Sequence, residues 1–387
     1  MRNDESPAPP SAALMRRAPS WSDRWFDFRN WLLMHPRFHH WAVRLPVLRT
    51  VARHRASALF ELCAGFVYSQ VLFAGVKLGL FARLVDGAKT VDELAPALGL
   101  RADATQRLLD AATALKLCEL RPGARYGLGI HGASLVATPA VEKMVLHHHM
   151  LYRDLADPVA LLKSESPDTE LKRFWSYSGH AGHDTSSPEQ VAAYSDLMAG
   201  SMSLIAEDIL DAWPVERHQH WLDLAGGAGA FAEAVARRAP PSLQVTLFDL
   251  PPVADRARAR LAGVGMGNRI NVVGGDLFTS TLPQGADVAS LVRVVHDHDD
   301  AQALKILQAA RGALGPGGTL LIAEPMAGTS GAEAMGDAYF GWYLYTMGQG
   351  RPRTSAVLLQ LVRDAGFRKA RLVRTRRPML TQLIAAS

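Results

Sequence analysis

The sequence predicts an α/β protein, with a doubly wound domain in its C-terminal half and a mostly helical, winged-helix-type domain before it. Three observations carry this. From Trp221 onward short apolar runs alternate with helical ones, at 220–225, 244–250, 271–274, 287–295 and 319–324, the rhythm of a parallel sheet covered on both faces. The first run ends in a glycine-rich turn, Asp223-Leu-Ala-Gly-Gly-Ala-Gly229, and a helical pattern follows it. Ahead of Trp221 the apolar spacing is helical, apart from a short two-stranded signal at 118–128.

The 387 residues are too many for one ordinary domain. Pattern divides them into an arm (1–56), a winged-helix-like dimerisation unit (57–135), a helical connector or substrate lid (136–212) and the α/β domain (213–387). With 48% hydrophobic and 20% charged residues, the chain has the profile of a globular protein able to bury a sizeable core. Net charge is +5, yet residues 1–60 hold ten Arg against four acids, so the basic character belongs to the arm. Residues 1–20, rich in Pro, Ala and Ser, are expected to be disordered. The stretch 21–43 holds four of the eight tryptophans. Trp21, Trp25, Phe28 and Leu32 fall on one helical stripe, with Asp23, Arg24, Asp27 and Arg29 off it. Such a stripe fits either a membrane interface or packing on another domain or subunit.

Residues 57–85 read as one long apolar helix. Thr90-Val-Asp-Glu93 is a capping box opening a short helix to Leu98, Gly99 ends it, and a second helix spans 104–117. With the wing at 118–128 this is a winged-helix order. The second helix sets one Arg and one Lys against two Asp, so it suits a DNA groove poorly, and a structural or dimerising unit is the better reading. Residues 135–212 read as helical around a polar break at 176–187. Cys63 and Cys118 lie in apolar helical patterns and are expected to be buried and reduced. No apolar h-region opens the sequence, and the best candidate membrane span, 62–76, is interrupted by Ser69 and Gln70. The expectation is a cytoplasmic protein, with peripheral contact to the cytoplasmic membrane through the arm as an option.

The chemistry is expected at the C-terminal ends of the strands, where open parallel sheets bind ligands. Gly226, Gly227 and Gly229 let backbone approach a ligand beneath a helix start, although Gly227-Ala-Gly229-Ala-Phe-Ala232 also fits a dinucleotide fingerprint. Asp249 ends the second strand about 20 residues later and suits the ribose hydroxyls of either adenosine cofactor. Asp276 and Leu277, after the third strand, offer an acid and an apolar contact for an adenine ring; alternatively Asp276 caps a turn. Arg293-Val-Val-His296-Asp297-His298-Asp299-Asp300 follows the fourth strand. His296 has the near-neutral pKa of a general base, and Glu324, ending the fifth strand, is placed to fix its tautomer. Asp299 or Asp300 is a candidate helix cap. Neither this cluster nor His147-His148-His149 is read as a metal site, because consecutive residues rarely converge on one ion.

Taken in order, these motifs resemble the small-molecule O-methyltransferases typified by plant caffeate and flavonoid enzymes. Their pattern runs D-x-G-G-G-x-G, F-D-L-P, G-D-x-F, H-D-W-x-D and a strand-end Glu; it is met here across 222–324, and with the winged-helix unit the likeness covers about 57–387. The resemblance implies a Rossmann-like fold, S-adenosylmethionine as methyl donor with no metal, and a homodimer. It implies that Asp223, Gly226, Gly227 and Gly229 line the cofactor, that Asp249 holds its ribose, and that Asp276 and Leu277 hold its adenine. Arg293 stands where the family commonly has a cofactor-contacting Lys. His296 would be the catalytic base, with Asp297 beside it and Glu324 orienting it.

Three departures stand out: Ala225 for the first glycine, His298 for the family's Trp, and Pro352, within Gly350-Arg-Pro-Arg-Thr354, for a second supporting Glu. The base is therefore expected to rest on Glu324 alone. The N-terminal block from Arg24-Trp-Phe-Asp-Phe-Arg-Asn30 through Ala64–Phe73 resembles the purple-bacterial carotenoid methyltransferases, which methylate the tertiary 1-hydroxyl of acyclic carotenoids such as hydroxyneurosporene and demethylspheroidene. That likeness implies a hydrophobic small-molecule substrate, a place in carotenoid biosynthesis, a use for a membrane-seeking arm and no nucleic-acid partner. Other readings stay open at this point. A phenol or polyketide methyltransferase would share the catalytic motifs. An NAD-dependent oxidoreductase would share the glycine loop and Asp249 but leave His296 and Glu324 unexplained. A ligand-sensing DNA regulator would need a more basic second helix.

Overall fold

The computed structural model describes residues 20–42, 44, 46–165, 167–175 and 202–387; the polar break read at 176–187 and the tail up to residue 19 lie outside them. The chain divides into two compact units, Met1–Val71 and Leu72–Ser387.

In the first unit, α1 (Trp21–Met34) opens on a reciprocal cap. Asp23 N donates to Ser20 Oγ at 3.2 Å, and Ser20 N donates to Asp23 Oδ2 at 2.8 Å. None of its residues is buried. Trp25, Phe28, Trp31 and His35 follow one another at ring spacings of 6.2, 6.2 and 5.7 Å, so Trp31 borders the stripe of Trp21, Trp25, Phe28 and Leu32.

Next come α2 (Pro36–Ala42) and α3 (Pro46–Lys77). The long helix starts before the predicted residue 57, and it stops short of 85 because Gly79 adopts a left-handed φ of 67°. Its stretch Arg49–Lys77, with mean hydropathy 1.6 over its most apolar window, is long and apolar enough to cross a membrane by length and composition. That corrects the sequence expectation: Ser69 and Gln70 are too few to lower the mean. Cys63 is exposed rather than buried, on a helix where Leu59, Phe60, Leu62 and Phe66 are exposed as well. Cys118 is buried, and burial pushes its thiol up to about 11.

The second unit continues with α4 (Leu80–Arg83) and α5 (Val91–Leu98). The predicted capping box forms: Glu93 N donates to Thr90 Oγ1 at 3.3 Å and Thr90 N to Glu93 Oε2 at 2.7 Å. Then come α6 (Ala102–Ala114) and an antiparallel wing of β1 (Cys118–Arg121) and β2 (Arg125–Leu128). The helices α7 (Ile130–Val136), α8 (Pro139–Asp154), α9 (Pro158–Lys163), α10 (Glu170–Trp175) and α11 (202–212) lead to the sheet.

Seven strands and their helices follow: β3 (His220–Leu224), α12 (Ala230–Arg238), β4 (Gln244–Asp249), α13 (Pro251–Gly263), β5 (Ile270–Gly274), β6 (Ala286–Val292), α14 (Asp300–Ala313), β7 (Leu314–Glu324), α15 (Phe340–Thr346), α16 (Ser355–Asp364), β8 (Ala370–Val373) and β9 (Gln382–Ala386). The order is β5-β4-β3-β6-β7-β9-β8. The first five strands are parallel, but β9 runs antiparallel to both β7 and β8. The fold is the Rossmann-like α/β class predicted, with a mixed edge in place of an all-parallel sheet.

Side chains alternate across the sheet. Trp221 packs with Phe231, Val245, Leu247 and Leu261 on one face. Leu222 and Leu224 pack with Ile306, Leu307, Leu320 and Ile322 on the other. Truncating one such leucine to alanine typically costs about 2–5 kcal/mol. Strand order reverses between β3 and β6, which places a crevice beyond their C-terminal ends.

Candidate active site

At the end of β3 the backbone turns through a run of left-handed residues: Ala225 at φ 52°, Gly227 at 57° and Gly229 at 81°. Gly226 has no room for a side chain, since a Cβ would stand 2.6 Å from Asp223 Oδ2 and 2.9 Å from Leu247 Cγ. Gly227 faces open space, with no atom within 4 Å of where its Cβ would lie. Asp249, at the end of β4, ties this loop down. Its Oδ2 accepts Gly227 N–H at 2.7 Å and its Oδ1 accepts Leu250 N–H at 2.7 Å. Burial nevertheless pushes the Asp249 carboxyl up to about 6.

Asp223 lies inside the sheet. Trp221 Nε1 donates to Ser290 Oγ at 2.9 Å, and Ser290 Oγ donates to Asp223 Oδ1 at 2.7 Å. Among the described residues its second oxygen has no hydrogen-bond partner, and burial pushes the group up to about 7. An open glycine, a strand-end carboxylate and an orphaned acceptor beneath the loop fit a ligand that carries hydroxyls and an amino group.

The next strand end holds the acid–base cluster. β6 stops at Val292, short of the predicted 295, because Arg293 takes a left-handed φ of 58°. A 3-10 turn, Val295–Asp297, then presents His296, which is 6% exposed. Its Nδ1 lies 2.5 Å from Glu324 Oε2, at the end of the neighbouring β7. Among the described residues neither atom has a further hydrogen-bond partner, and at this distance the Glu324 charge acts directly on the ring. Nε2 lies 3.1 Å from Asp297 Oδ1. Burial alone would hold the imidazole down, but the Glu324 and Asp297 carboxylates outweigh it and push its pKa up to about 10. Pro352 supplies no carboxylate here, and the second carboxylate beside the His296 ring, after Glu324, is that of Asp297.

The remaining predicted residues lie around these. Asp276 caps its own turn, accepting Phe278 N–H at 2.8 Å, while Leu277 is half-buried against the core. Arg293 N donates to Ala323 O at 2.8 Å, and its charge acts on Tyr339, whose hydroxyl burial raises above its ordinary range. Asp299 caps α14 by accepting Gln302 N–H at 2.8 Å. His298 Nδ1 lies 3.2 Å from Gln302 Oε1, its ring edge-on to Phe278.

The three consecutive histidines diverge. His147 Nε2 meets Tyr343 Oη at 2.7 Å, His148 Nε2 meets Tyr339 Oη at 2.7 Å, and His149 Nδ1 meets Leu146 O at 2.8 Å. Burial pulls His147 down to about 4. Sequence reasoning missed Tyr339, Tyr343 and Phe340, whose ring lies 6.3 Å from that of His296. A π-helix, Ala334–Tyr339, presents Tyr339, and such turns recur at functional sites.

An O-methyltransferase domain matches residues 152–368, and an O-methyltransferase dimerisation domain matches 60–137. The chain belongs to the O-methyltransferase family. It is 42% identical to demethylspheroidene O-methyltransferase of Cereibacter sphaeroides, over 90% of this chain and 92% of that one. It is 38% identical to demethylspheroidene O-methyltransferase of Rhodobacter capsulatus, over 93% of this chain and 89% of that one. Its fold matches human N-acetylserotonin methyltransferase in complex with SAM at a TM-score of 0.72 and 24% identity, covering 86% of this chain and 97% of that one. The chain is therefore an S-adenosylmethionine-dependent O-methyltransferase, and the oxidoreductase and DNA-regulator readings fall away. The apolar stretch of α3 from residue 60 onward lies within the dimerisation domain. In this methyltransferase Ala225, at φ 52°, holds a left-handed conformation where the family pattern has glycine.

Proposed function

We propose that this methyltransferase methylates the tertiary 1-hydroxyl of an acyclic hydroxycarotenoid, such as demethylspheroidene or hydroxyneurosporene, in carotenoid biosynthesis. The observation that carries the chemistry is the buried His296 between Glu324 and Asp297 at adjoining strand ends. The substrate class is supported by 42% identity, spread over nearly the whole of both chains, to an enzyme named for such a substrate.

Bound S-adenosylmethionine supplies an electrophilic methyl carbon on a sulfonium. In this proposal Asp223, Gly226, Gly227 and Gly229 line it, Asp249 accepts from the ribose hydroxyls, Asp276 and Leu277 hold the adenine, and Arg293 lies alongside. A tertiary alcohol is far too weak an acid for a histidine to ionise beforehand. The proton therefore leaves as the carbon–oxygen bond forms and the carbon–sulfur bond breaks. Neutral His296 takes that proton on Nε2, and Glu324 stabilises the resulting imidazolium at Nδ1. Asp297 occupies Nε2 in the resting arrangement, so the acceptor hydroxyl takes its place there.

The test is methyl transfer from labelled donor to 1-hydroxylated acyclic carotenoids and to phenols. Transfer to phenols with none to the carotenoids refutes the substrate. We also infer a homodimer formed through residues 60–137, and a cytoplasmic enzyme whose arm touches anionic lipid. Support for the lipid contact is the exposure of Trp21 (89%), Trp25 (61%), Phe28 (52%) and Trp31 (56%) in an arginine-rich segment. Deleting residues 1–45 is expected to abolish sedimentation with anionic liposomes. Full-length protein that never sediments with them refutes the lipid contact.

A further inference from the structure

His296 sits on a turn of three residues, and so short a 3-10 turn has few hydrogen bonds of its own. Its shape is set by what holds it. Two buried charged side chains do so from opposite poles. Glu324 Oε1 accepts the N–H groups of Val294 and Val295 at 3.1 and 2.8 Å. Arg353, 4% exposed, takes the carbonyl side. Its Nη1 donates to Val295 O at 2.8 Å, its Nη2 to His298 O at 2.7 Å and its Nε to Asp300 Oδ1 at 2.8 Å. The fork thus straddles His296, gripping one carbonyl before it and one after.

The strand of chain that carries Arg353 presses on the same turn. Arg351 N donates to His296 O at 2.9 Å. Gly350, at φ 89°, stands where any Cβ would collide with His296 O and the Asp297 backbone.

We propose that Arg353 is a positioning residue for the proton transfer. It touches no reacting atom, but it fixes the backbone of 295–298 so that the His296 ring meets Glu324 with one nitrogen and the acceptor hydroxyl with the other. The chemistry of the guanidinium suits this task. Its planar fork reaches two carbonyls and a carboxylate at once and stays charged when buried, whereas a lysine ammonium is a single point on a flexible stem. Pro352 next to it supplies no carboxylate, so what the 350–354 segment contributes to the site is this grip.

The inference rests on His296 being the base. Its test uses full-length Arg353→Lys and Asp300→Asn, with three readouts. The first is S-adenosylmethionine binding by calorimetry. The second is the titration of His296 followed by NMR of carbon-13 histidine, assigned with His296→Gln. The third is kcat per cofactor-binding site on a 1-hydroxylated acyclic carotenoid in detergent micelles. The groups facing the imidazole, Glu324 from β7 and Asp297 from its own turn, are intact in both variants.

Arg353→Lys is expected to bind cofactor normally and to lose about 10²-fold in kcat, the usual consequence of a displacement near 1 Å, with a smaller change in acceptor KM. Its His296 is expected to titrate at lower pH as the Glu324 contact loosens. Asp300→Asn should do the same more weakly. A merely structural arginine would reduce the amount of folded protein and leave both the titration and kcat per site unchanged; that result overturns the proposal. If Arg353→Lys does not fold, wild-type behaviour of Asp300→Asn overturns it instead. Retained turnover in His296→Gln would sink the base assignment separately, and the titration would still judge the grip of Arg353.

Discussion

Replacing Glu324 by glutamine keeps the volume beside His296 and removes one charge. Glu324 is 1% exposed and its Oε2 lies 2.5 Å from Nδ1, so water screens the pair poorly. Unit charges about 4 Å apart interact by about 4 kcal/mol at an effective dielectric near 20, which is worth about 3 pH units. Burial opposes that and Asp297 adds to it, leaving the wild-type imidazole at about 10. The glutamine amide oxygen still faces Nδ1 and keeps part of that attraction, so the imidazole is expected to fall by about 2 pH units rather than 3.

Only neutral His296 accepts a proton, so kcat/KM should rise with pH and level off near 10 in the wild type. In Glu324→Gln it should level off about 2 units lower, at a plateau about 10–100-fold below wild type because the base is weaker and less well oriented. The deficit is thus widest at high pH; near neutrality the roughly hundredfold larger neutral fraction offsets the lower plateau, and the variant is expected to match the wild type or exceed it by up to about tenfold. Initial rates with labelled donor across this range measure it. An unmoved limb would mean that Glu324 does not set the basicity of His296. Stability follows the same sign. A folded-state pKa of about 10, above the ordinary 6.5, stabilises fully below 6.5 and is lost as pH rises through 10. Thermal unfolding of the wild type should therefore ease across that window, and the variant's window should be narrower.

His296→Ala is expected to lower turnover by about 10²–10⁴-fold while leaving cofactor affinity nearly intact; near-normal turnover of a folded variant defeats the base assignment. Asp249→Ala removes the acceptor of two backbone N–H groups as well as the proposed ribose contact, and calorimetry should show cofactor binding weakened by about 1.5–3 kcal/mol. Unchanged affinity there would remove Asp249 from the cofactor site. Ala225→Gly relieves a left-handed alanine worth about 1–2 kcal/mol, against about 0.5–1 kcal/mol of added chain entropy. The net gain of up to about 1.5 kcal/mol should raise Tm by about 1–2 degrees in scanning calorimetry, and a fall would show that the alanine is not strained.

The five parallel strands were legible because each is a buried apolar run bounded by turn residues. β8 and β9 were not. Ala370–Val373 and Gln382–Ala386 are short, and they become strands only by pairing with each other and with distant β7. The glycine loop, Asp249, His296 and Glu324 could be read because each sits at a strand end that the pattern locates. The placement of Asp297 on Nε2 could not, since it depends on the left-handed turn at Arg293 that cuts β6 short. Arg353 matches the Arg of the family's G-x-E-R-T stretch, but the pattern does not reveal that it grips the backbone on either side of His296. The His147–Tyr343 and His148–Tyr339 pairs join segments almost two hundred residues apart, which no local pattern reveals.

The place of β9 has a consequence for how the enzyme is made. β9 is later in sequence than β8, yet it lies inside the sheet between β7 and β8. A ribosome adding about 5–20 residues per second therefore completes Glu324 several seconds before Gln382–Ala386 exists to pair with it. Throughout that interval the strand bearing Glu324 shows a bare edge on the nascent chain, the kind of edge that recruits other strands. Slower translation over this stretch would lengthen that exposure, and chaperone capture would shield it.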